Sequence, residues 1–342
     1  MRISQTIPHG FAMLLAGVLV GACAATPGVS ATVPTAQAPS IPSVGPTPTS
    51  SVAIRLEGRV ILGRGTYYLA NADGSDERPL ADPKTYCCQA RISPDRTRIL
   101  TMPGTDQTGA VRGGTLTLDG GKFELLPRSD PTLNLVPQAW SPDGTRIVFE
   151  GWSESDPSRT GVYTARASDG GNLVRLTKQP GLPHDMPLDY SPDGRQVVLY
   201  RAVRAEPDFP IDTGGSLWVV SVDGSGLHKL DTGAIRPWWQ ARWAPDGSKI
   251  LFSTERLEAT GALWTIKPDG SSLTKVFEDP NGGFAVGPVW SADGSQIMFS
   301  LDPSNDAFTH PDNKIYAINA DGSGLTLVVG GPGFKGVSDW WR

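Results

Sequence analysis

The stretch WSPDGTRIVF, Trp140–Phe149, decides the fold because close copies of it recur along the chain. YSPDGRQVVL begins at Tyr190, WAPDGSKILF at Trp243 and WSADGSQIMF at Trp290, and a more distant copy, ISPDRTRIL, begins at Ile92. In this motif proline presets the first corner of a type I turn, aspartate suits the second corner, and glycine accepts the conformation that follows. The motif therefore predicts a tight hairpin turn that leads into an apolar strand.

The spacing of the copies predicts the architecture. The gaps between the turn aspartates are 48, 50, 53 and 47 residues, and these aspartates are Asp95, Asp143, Asp193, Asp246 and Asp293. A second aspartate turn falls between them, at Asp73, Asp119, Asp169, Asp223, Asp269 and Asp321. Runs rich in β-branched and aromatic residues flank both turns, so each period holds four short strands, a to d. This arrangement is typical of the blades of a β-propeller, and the predicted fold class is all-β.

The two ends of the repeat region predict how the ring closes. The segment before Asp95 offers strands b, c and d without a preceding Ser-Pro-Asp-Gly turn, whereas GVSDWWR at the C-terminus matches the approach to strand a. Together they form one composite blade, which makes six blades and leaves no open sheet edge. One aromatic position recurs in strand a and predicts packing between blades; it is occupied by Trp140, Tyr190, Trp243, Trp290 and Trp340, with Ile92 in the remaining blade.

The pattern PxWSPDGxxIxF followed by IYxxxADGSG resembles the TolB-type propeller repeat, also called the WD40-like PD40 repeat. The resemblance covers nearly all of Ala53 to Arg342. It implies a six-bladed propeller, but it does not imply a single function. Similar repeats are found in partner-binding periplasmic proteins, in the propellers of prolyl-oligopeptidase-type peptidases and in pectic oligosaccharide lyases.

The N-terminal residues predict export and anchoring. Arg2 precedes an apolar run, Phe11–Ala22, that is too short for an ordinary membrane span, and the tetrad from Val20 to Cys23 resembles the lipobox of bacterial lipoproteins. We therefore expect a signal peptide over 1–22, a lipidated Cys23 with a Pro/Ser/Thr-rich tether over 23–52, and a propeller over 53–342. The alternative is a plain secretory signal with an incidental cysteine. The expected location is extracytoplasmic, in the periplasm or at the outer membrane, or on the outer face of the cytoplasmic membrane.

The composition argues against several functions. The formal net charge is −5 and no basic run is evident, so a nucleic-acid partner is not expected. The sequence has no Gly-x-Ser-x-Gly elbow and no glycine-rich phosphate loop before a helix. We therefore predict a non-catalytic, monomeric module that binds an envelope protein or glycan, with no cofactor besides the covalent lipid on Cys23. The alternative is a carbohydrate-binding or oligosaccharide-cleaving propeller.

The candidate binding residues lie where the repeats diverge. The loops from d to a and from b to c share one face of the disc, opposite the aspartate turns, and loops on a rigid scaffold commonly carry binding function. The candidates on this face are Tyr86, His184, Asp185, Arg236, Trp238, Trp239, Phe284 and Lys335. His184 and Asp185 could act as a base and its partner or as metal ligands, whereas Arg236 and the two tryptophans suit protein hot spots or sugar stacking. No metal is expected, because His184, His228 and His310 are widely spread.

Cys87 and Cys88 are adjacent, and three interpretations remain open for them. Outside the cytoplasm they could form a vicinal disulfide, or stay reduced and bind a soft metal. The third interpretation is structural: two small buried residues at the start of a strand.

Overall fold

The computed structural model describes residues 54–64, 66–80, 87–102, 113–119, 122–178, 185–202, 214–254, 261–303, 312–333 and 335–342. The side chains of residues 87–89, 102 and 239 lie outside this description. The predicted signal peptide, Cys23 and the tether also lie outside the described residues.

The described residues form short strands and one 3-10 turn at Pro157–Arg159. The first twelve strands are β1 (Arg59–Gly63), β2 (Tyr67–Asn71), β3 (Arg78–Pro79), β4 (Cys87–Ile92), β5 (Arg98–Met102), β6 (Gly114–Thr117), β7 (Phe123–Leu125), β8 (Asn134–Trp140), β9 (Arg146–Trp152), β10 (Gly161–Arg166), β11 (Val174–Arg175) and β12 (Asp185–Tyr190). The following twelve are β13 (Gln196–Arg201), β14 (Ser216–Ser221), β15 (His228–Lys229), β16 (Pro237–Trp243), β17 (Ile250–Thr254), β18 (Ala262–Ile266), β19 (Thr274–Glu278), β20 (Phe284–Trp290), β21 (Gln296–Asp302), β22 (Lys314–Asn319), β23 (Thr326–Val329) and β24 (Gly336–Trp341).

The strands form six antiparallel sheets of four strands each, which confirms the predicted six-bladed propeller. Blade 1 contains β4–β7, blade 2 β8–β11, blade 3 β12–β15, blade 4 β16–β19 and blade 5 β20–β23. Blade 6 is composite: its inner strand is β24, followed outward by β1, β2 and β3. The C-terminal strand therefore pairs with the first strand of the chain, as predicted, through contacts such as Arg59 with Trp341.

The repeated Asp-Gly motif forms the a–b hairpin turns. In blade 2 the Asp143 carboxylate accepts hydrogen bonds from the Ser141 hydroxyl at 2.6 Å and from the Thr145 amide at 3.0 Å. The Ser141 hydroxyl in turn accepts a bond from the Arg146 amide at 2.9 Å, across the mouth of the hairpin. Blade 3 repeats these bonds around Asp193. The aspartates satisfy turn amides, and this accounts for their recurrence.

The proline and the glycine of the motif also meet across blade boundaries. The four turn glycines have φ between 71° and 74°, the left-handed region that favours glycine. A Cβ on each glycine would lie 3.3–3.9 Å from the turn proline of the preceding blade, in the pairs Gly144–Pro94, Gly194–Pro142, Gly247–Pro192 and Gly294–Pro245. Blade 6 has no such turn, because its a and b strands come from opposite ends of the repeat region. The motif departs from the pattern in the two blades beside it, at Arg96 and Ala292.

The recurring aromatic residues pack between blades. Relative exposure is 9% or less for Trp140, Tyr190, Trp243, Trp290 and Trp340. Trp243 belongs to a cluster that joins residues of blades 3 and 4, and Trp290 belongs to one that joins blades 4 and 5. The predicted packing role is thus confirmed for these five residues. Among the described residues, none belongs to a helix long and apolar enough to cross a membrane.

This topology gives the disc two unlike faces. The aspartate turns connect a to b and c to d, so they share one face, which we call the turn face. The d–a and b–c connections share the opposite face, which we call the loop face, and the inner strands run from the loop face along the central axis. The connections in which the repeats differ in sequence therefore lie on the loop face.

Candidate functional site

Trp238 and Phe284 meet where blades 4 and 5 adjoin at the loop face, and Arg236 precedes Trp238 by two residues. Trp238 is half-buried, and its indole meets the Phe284 ring edge to face with the ring centroids 6.4 Å apart. Phe284 is 4% exposed, so it supports Trp238 from below and contributes little surface of its own. Arg236, one residue before β16, is exposed. An aromatic ring fixed by a neighbouring blade beside an exposed guanidinium is suited to contact a partner.

β16 contains a bulge, as the other inner strands do. The pairing of β16 with β17 shifts between Pro237 and Ala241, so Trp238 lies within the irregular stretch of this strand. Bulges re-aim side chains and are common at functional rims. The backbone of Trp239 lies in β16, but its side chain is outside the described residues.

Asp185 is a buried ion-pair residue at the start of β12. Its carboxylate is fully buried and accepts two hydrogen bonds from Arg201, at 2.6 Å from Nε and 2.9 Å from Nη2. The Arg201 guanidinium also stacks 4.3 Å from the centroid of Trp218. Two parallel bonds make a geometrically strong pair, and the aromatic ring shields it further. Asp185 therefore serves to hold the start of blade 3 and is not exposed on the loop face.

Lys335 is also buried, unlike a lysine on the protein surface. It is 1% exposed, and its ammonium donates to the carbonyl oxygens of Gly331 at 2.5 Å, Gly333 at 2.7 Å and Pro332 at 3.0 Å. Burial lowers the pKa of this ammonium group. The side chain organises the loop before β24, and little of it is left for an external ligand.

Other predicted positions cannot be placed within the described part of the chain. Tyr86 and His184 lie outside it, as do the side chains of Cys87 and Cys88, whose backbones begin β4. His228 is described: its ring nitrogens lie 2.8 Å from the Gly226 carbonyl and 2.9 Å from the Pro268 carbonyl, on the turn side. Within the described ranges, no three His, Cys, Asp or Glu side chains are grouped closely enough to hold a metal ion.

Four charged side chains at the axis were missed as a group by the sequence analysis. They occupy the position directly before the recurring aromatic, where the blades in order carry Arg91, Ala139, Asp189, Arg242, Val289 and Asp339. The pattern of arginine, small or apolar residue, and aspartate thus occurs twice around the ring, in blades 1–3 and again in blades 4–6. Charged residues at a buried strand position were the signal that could have revealed them.

The four residues connect blades in a closed circuit. Arg91 in blade 1 donates to the Leu188 carbonyl of blade 3 at 2.6 Å, and Asp189 of blade 3 accepts from the Trp243 amide of blade 4 at 3.0 Å. The same steps follow in the second half of the ring. Arg242 donates to the Ser338 carbonyl of blade 6 at 2.9 Å, and Asp339 accepts from the Ile92 amide of blade 1 at 2.9 Å.

Bulges in the inner strands supply the carbonyls that receive the arginines. Leu188 and Ser338 are the extra residues at register shifts in β12 and β24, so their backbone groups fall outside the regular ladder. The blades crossed by the arginine side chains, blades 2 and 5, carry Ala139 and Val289 at the equivalent position and so present no charged side chain there. We call this arrangement of Arg91, Asp189, Arg242 and Asp339 the axial circuit.

The axial circuit lies deep in the protein, where ionisation is costly. Desolvation raises the pKa of Asp189 to about 6, although the positive charge of Arg91 opposes the change. Desolvation also raises the pKa of Asp339, again opposed by Arg91. Both aspartates keep partial contact with the narrow channel, but their surroundings are mostly protein. A cavity of about 30 Å³ adjoins the circuit and is lined by Arg91, Leu188, Gln240, Arg242 and Ser338 among others.

Comparison with known proteins gives a consistent result in sequence and in structure. No family model matches the sequence. The Tol-Pal system protein TolB of Anaeromyxobacter dehalogenans strain 2CP-C is 30% identical over 197 residues, which is 53% of this chain and 38% of the relative. TolB of strain 2CP-1 is 28% identical over 198 residues with the same coverage. The matched region thus spans well under half the length of these curated relatives.

Solved structures show the same fold. TolB from Acinetobacter baumannii has a TM-score of 0.61 at 16% identity, covering 83% of this chain and 67% of that one. The propeller is similar to TolB. The TolB likeness extends to a putative TolB from Agrobacterium tumefaciens, with a TM-score of 0.59 at 18% identity, covering 84% of this chain and 99% of that one. Oligogalacturonate lyase from Vibrio parahaemolyticus shares the fold with a TM-score of 0.52 at 16% identity, covering 78% of this chain and 71% of that one.

Proposed function

We propose that this TolB-like propeller is a non-catalytic binding module of the cell envelope that engages a protein partner through its loop face. The sequence similarity to a Tol-Pal system protein supports the functional class. The observation that carries the site is the exposed Arg236 beside Trp238, which Phe284 holds in an edge-to-face contact. A partner that covers this patch would bury a preorganised aromatic side chain, so little entropy would be lost on binding.

The sequence differences among the loop-face loops support selective binding of one partner. The repeats agree at the turn face, where Ser141, Asp143 and their counterparts satisfy one another. They differ at the loop face, where the residue directly before the inner strand is the exposed Arg236 in blade 4 and the buried Lys335 in blade 6. A surface that is irregular on a regular scaffold is suited to recognise one partner in one orientation.

The sequence of the first residues supports placement outside the cytoplasm. In this proposal a lipid on Cys23 anchors the chain, and the 23–52 tether holds the propeller away from the membrane. Cys23→Ala should move the protein from the membrane fraction to the soluble fraction without altering the folding of the propeller. Unchanged membrane fractionation of Cys23→Ala would rule out lipidation at this residue.

Quantitative binding tests the site. Candidate partners are captured from envelope extract with the wild-type protein, and each purified candidate is then titrated against wild type, Trp238→Ala, Arg236→Ala and Arg195→Ala. Arg195 is an exposed arginine in the blade 3 turn and therefore a matched control on the turn face. We expect Trp238→Ala to weaken binding about tenfold or more, as for an interface hot spot, and Arg195→Ala to leave it unchanged. Equal affinities for all four proteins would contradict the proposed site.

A carbohydrate ligand is the second candidate, because oligogalacturonate lyases share the fold and because tryptophan and arginine also suit sugar recognition. The same four proteins are titrated with pectic oligosaccharides and assayed for the unsaturated products of lyase action. Binding that depends on Trp238, without any protein partner, would favour this function over the first. Product formation would identify an enzyme.

A further inference from the structure

The loop between β19 and β20, residues 279–283 on the loop face, contains the only Asn-Gly pair of the sequence. Asn281 is exposed, and Gly282 has φ of 81°. In such a pair the backbone nitrogen of the glycine can attack the carbonyl carbon of the asparagine side chain, because glycine has no Cβ to hinder the approach. The product is a cyclic imide, which water opens to an acid. Asn281 is therefore a candidate for spontaneous deamidation.

Asp279 holds both reacting groups of this pair in a closed loop. Its main-chain carbonyl accepts the Gly282 amide at 3.0 Å, and its carboxylate accepts the Asn281 side-chain amide at 3.3 Å. The second carboxylate oxygen accepts the Gly283 amide at 2.9 Å, and Asp279 is 7% exposed. Hydrogen bonds to a charged acceptor are stronger than neutral ones. The Gly282 nitrogen is thus free to attack only when these bonds open.

We propose that Asn281 is a deamidation site whose reaction rate is set by Asp279. When the loop opens, the Gly282 nitrogen loses its proton to solvent base and forms a bond to Cγ of Asn281, and the side-chain nitrogen takes up a proton and leaves as ammonia. Water then breaks one of the two C–N bonds of the imide. Breaking the new bond gives aspartate, and breaking the original peptide bond gives isoaspartate. The net change is one water consumed and one ammonia released.

The product cannot restore the closed loop. At position 281 an amide that donates to Asp279 becomes a carboxylate that faces the Asp279 carboxylate across the same contact. Two negative charges this close repel each other, and the burial of Asp279 strengthens the repulsion. Isoaspartate also adds one atom to the main chain. Deamidation therefore acts as an irreversible switch of this loop.

The loop continues directly into the first residue of β20, Phe284, which contacts Trp238. Opening of the loop leaves the end of the strand that carries Phe284 less well held. The consequence for binding rests on the proposed function: deamidation should weaken the binding of a partner that covers Trp238.

Peptide mapping by mass spectrometry tests the site on the wild-type protein. The folded protein is incubated at 37 °C and pH 7.5, and the conversion of amide to acid is followed at each asparagine. We expect the acid to accumulate at Asn281 and not at Asn134 or Asn172, which are both followed by leucine. A folded protein in which Asn281 keeps its amide as long as these two asparagines keep theirs would overturn the proposal.

Substitution of Asp279 tests the control of the rate. Asp279→Ala should speed deamidation of Asn281 about tenfold, because hydrogen bonds to a charged acceptor are lost and the loop opens more often. The matched control is Asp231→Ala, since Asp231 accepts the Gly233 amide at 3.0 Å in the connection before β16, and it should leave the rate unchanged. Asp279→Asn keeps a side-chain acceptor without the charge and should give an intermediate rate, so the test does not depend on the folding of one variant. Equal rates in wild type and both Asp279 variants would overturn the proposal.

Asn281→Asp imitates the aspartate product. Its melting temperature should lie about 2–4 °C below that of Asn281→Ala, which removes the amide donor without adding a charge. Equal melting temperatures would overturn the account of the product. The mass and melting measurements need no partner, so they remain decisive if the proposed function fails. Equal partner binding by wild type and Asn281→Asp would overturn only the step that rests on that function.

Discussion

Replacing Asp189 with asparagine should remove a pH-dependent loss of stability from the propeller. Desolvation at the axis raises the pKa of the Asp189 carboxyl from 3.8 to about 6 in the folded protein. Between these pH values the folded chain keeps a proton that the unfolded chain has released. The stability that this carboxyl contributes is therefore fully present below about pH 4 and is lost as the pH rises through about 6.

The size of the effect follows from the shift. A difference of about two pH units corresponds to at most about 3 kcal/mol, and channel water reduces it. Asparagine cannot ionise, and its side-chain oxygen can still accept the hydrogen bond from the Trp243 amide. The free energy of unfolding of Asp189→Asn, minus that of wild type, should thus increase by up to about 3 kcal/mol between pH 4 and pH 7.5.

Urea unfolding followed by tryptophan fluorescence at several pH values measures this difference. Asp193→Asn is the matched control in the same blade, because hydrogen bonds from Ser191 and Arg195 lower the pKa of Asp193. The stability contributed by Asp193 is present above its unfolded pKa of 3.8 and is lost as the pH falls below it. Its difference curve should therefore be nearly flat between pH 4 and pH 7.5 and should have the opposite slope below about pH 4. A difference for Asp189→Asn that is flat, or that decreases with pH, would refute the account of the axial circuit.

Three further substitutions test other parts of the scaffold. Asp185→Ala should lower stability by about 3–5 kcal/mol, because it leaves the Arg201 guanidinium without its buried partner; a loss below about 1 kcal/mol in urea unfolding would contradict the burial of this pair. Arg96 has φ of 60°, a left-handed conformation that favours glycine, so Arg96→Gly should raise the free energy of unfolding by about 0.5–1 kcal/mol. Gly194 has φ of 71° at the equivalent turn position, so Gly194→Ala should lower the free energy of unfolding by about 1 kcal/mol. Equal effects of the two changes would contradict this explanation from backbone conformation. Asp143→Ala should lower the free energy of unfolding by about 1 kcal/mol, because it removes the hydrogen bonds of the turn. The folded variant should bind a loop-face partner with the affinity of the wild type. Loss of partner binding by the folded variant would assign a function to the turn face.

The fold could be predicted from the sequence because the repeat combines two local signals. Turn chemistry and strand periodicity are both encoded within a few residues, as in the stretch from Ser141 to Phe149. Five copies of this turn and six copies of the second aspartate turn make the period visible, and the matching ends indicate the composite blade. Long-range pairing of β1 with β24 then follows from ring closure, without any need to predict individual contacts.

The burial of the loop-face candidates could not be predicted in the same way. Asp185 is covered through Arg201 and Trp218, and Lys335 through carbonyls of its own loop. These contacts depend on the path of loops that differ between blades. Arg236 is exposed and Trp238 is half-buried, and Phe284 of the next blade contacts the Trp238 ring edge to face. Local sequence gives the residue types, but neighbouring blades decide which of them reach the surface.

The axial circuit could not be predicted from the sequence for a different reason. Arg91 and the Leu188 carbonyl are 97 residues apart, and the bond forms only because a bulge frees that carbonyl. Neither the bulge nor the crossing of an intervening blade has a local sequence signature. The charged residues before the aromatic position are visible in the sequence, but their hydrogen-bond partners are known only once the blades are arranged in a ring.

Site-directed photo-crosslinking in living cells tests the central claim most directly. A benzophenone side chain is introduced at residue 236 on the loop face and, separately, at residue 195 on the turn face, both exposed arginine positions in the wild type. We predict a discrete crosslink to an envelope protein from position 236, and its loss when Trp238→Ala is added. Crosslinks of equal yield from position 195, or none from position 236, would contradict a protein-binding loop face.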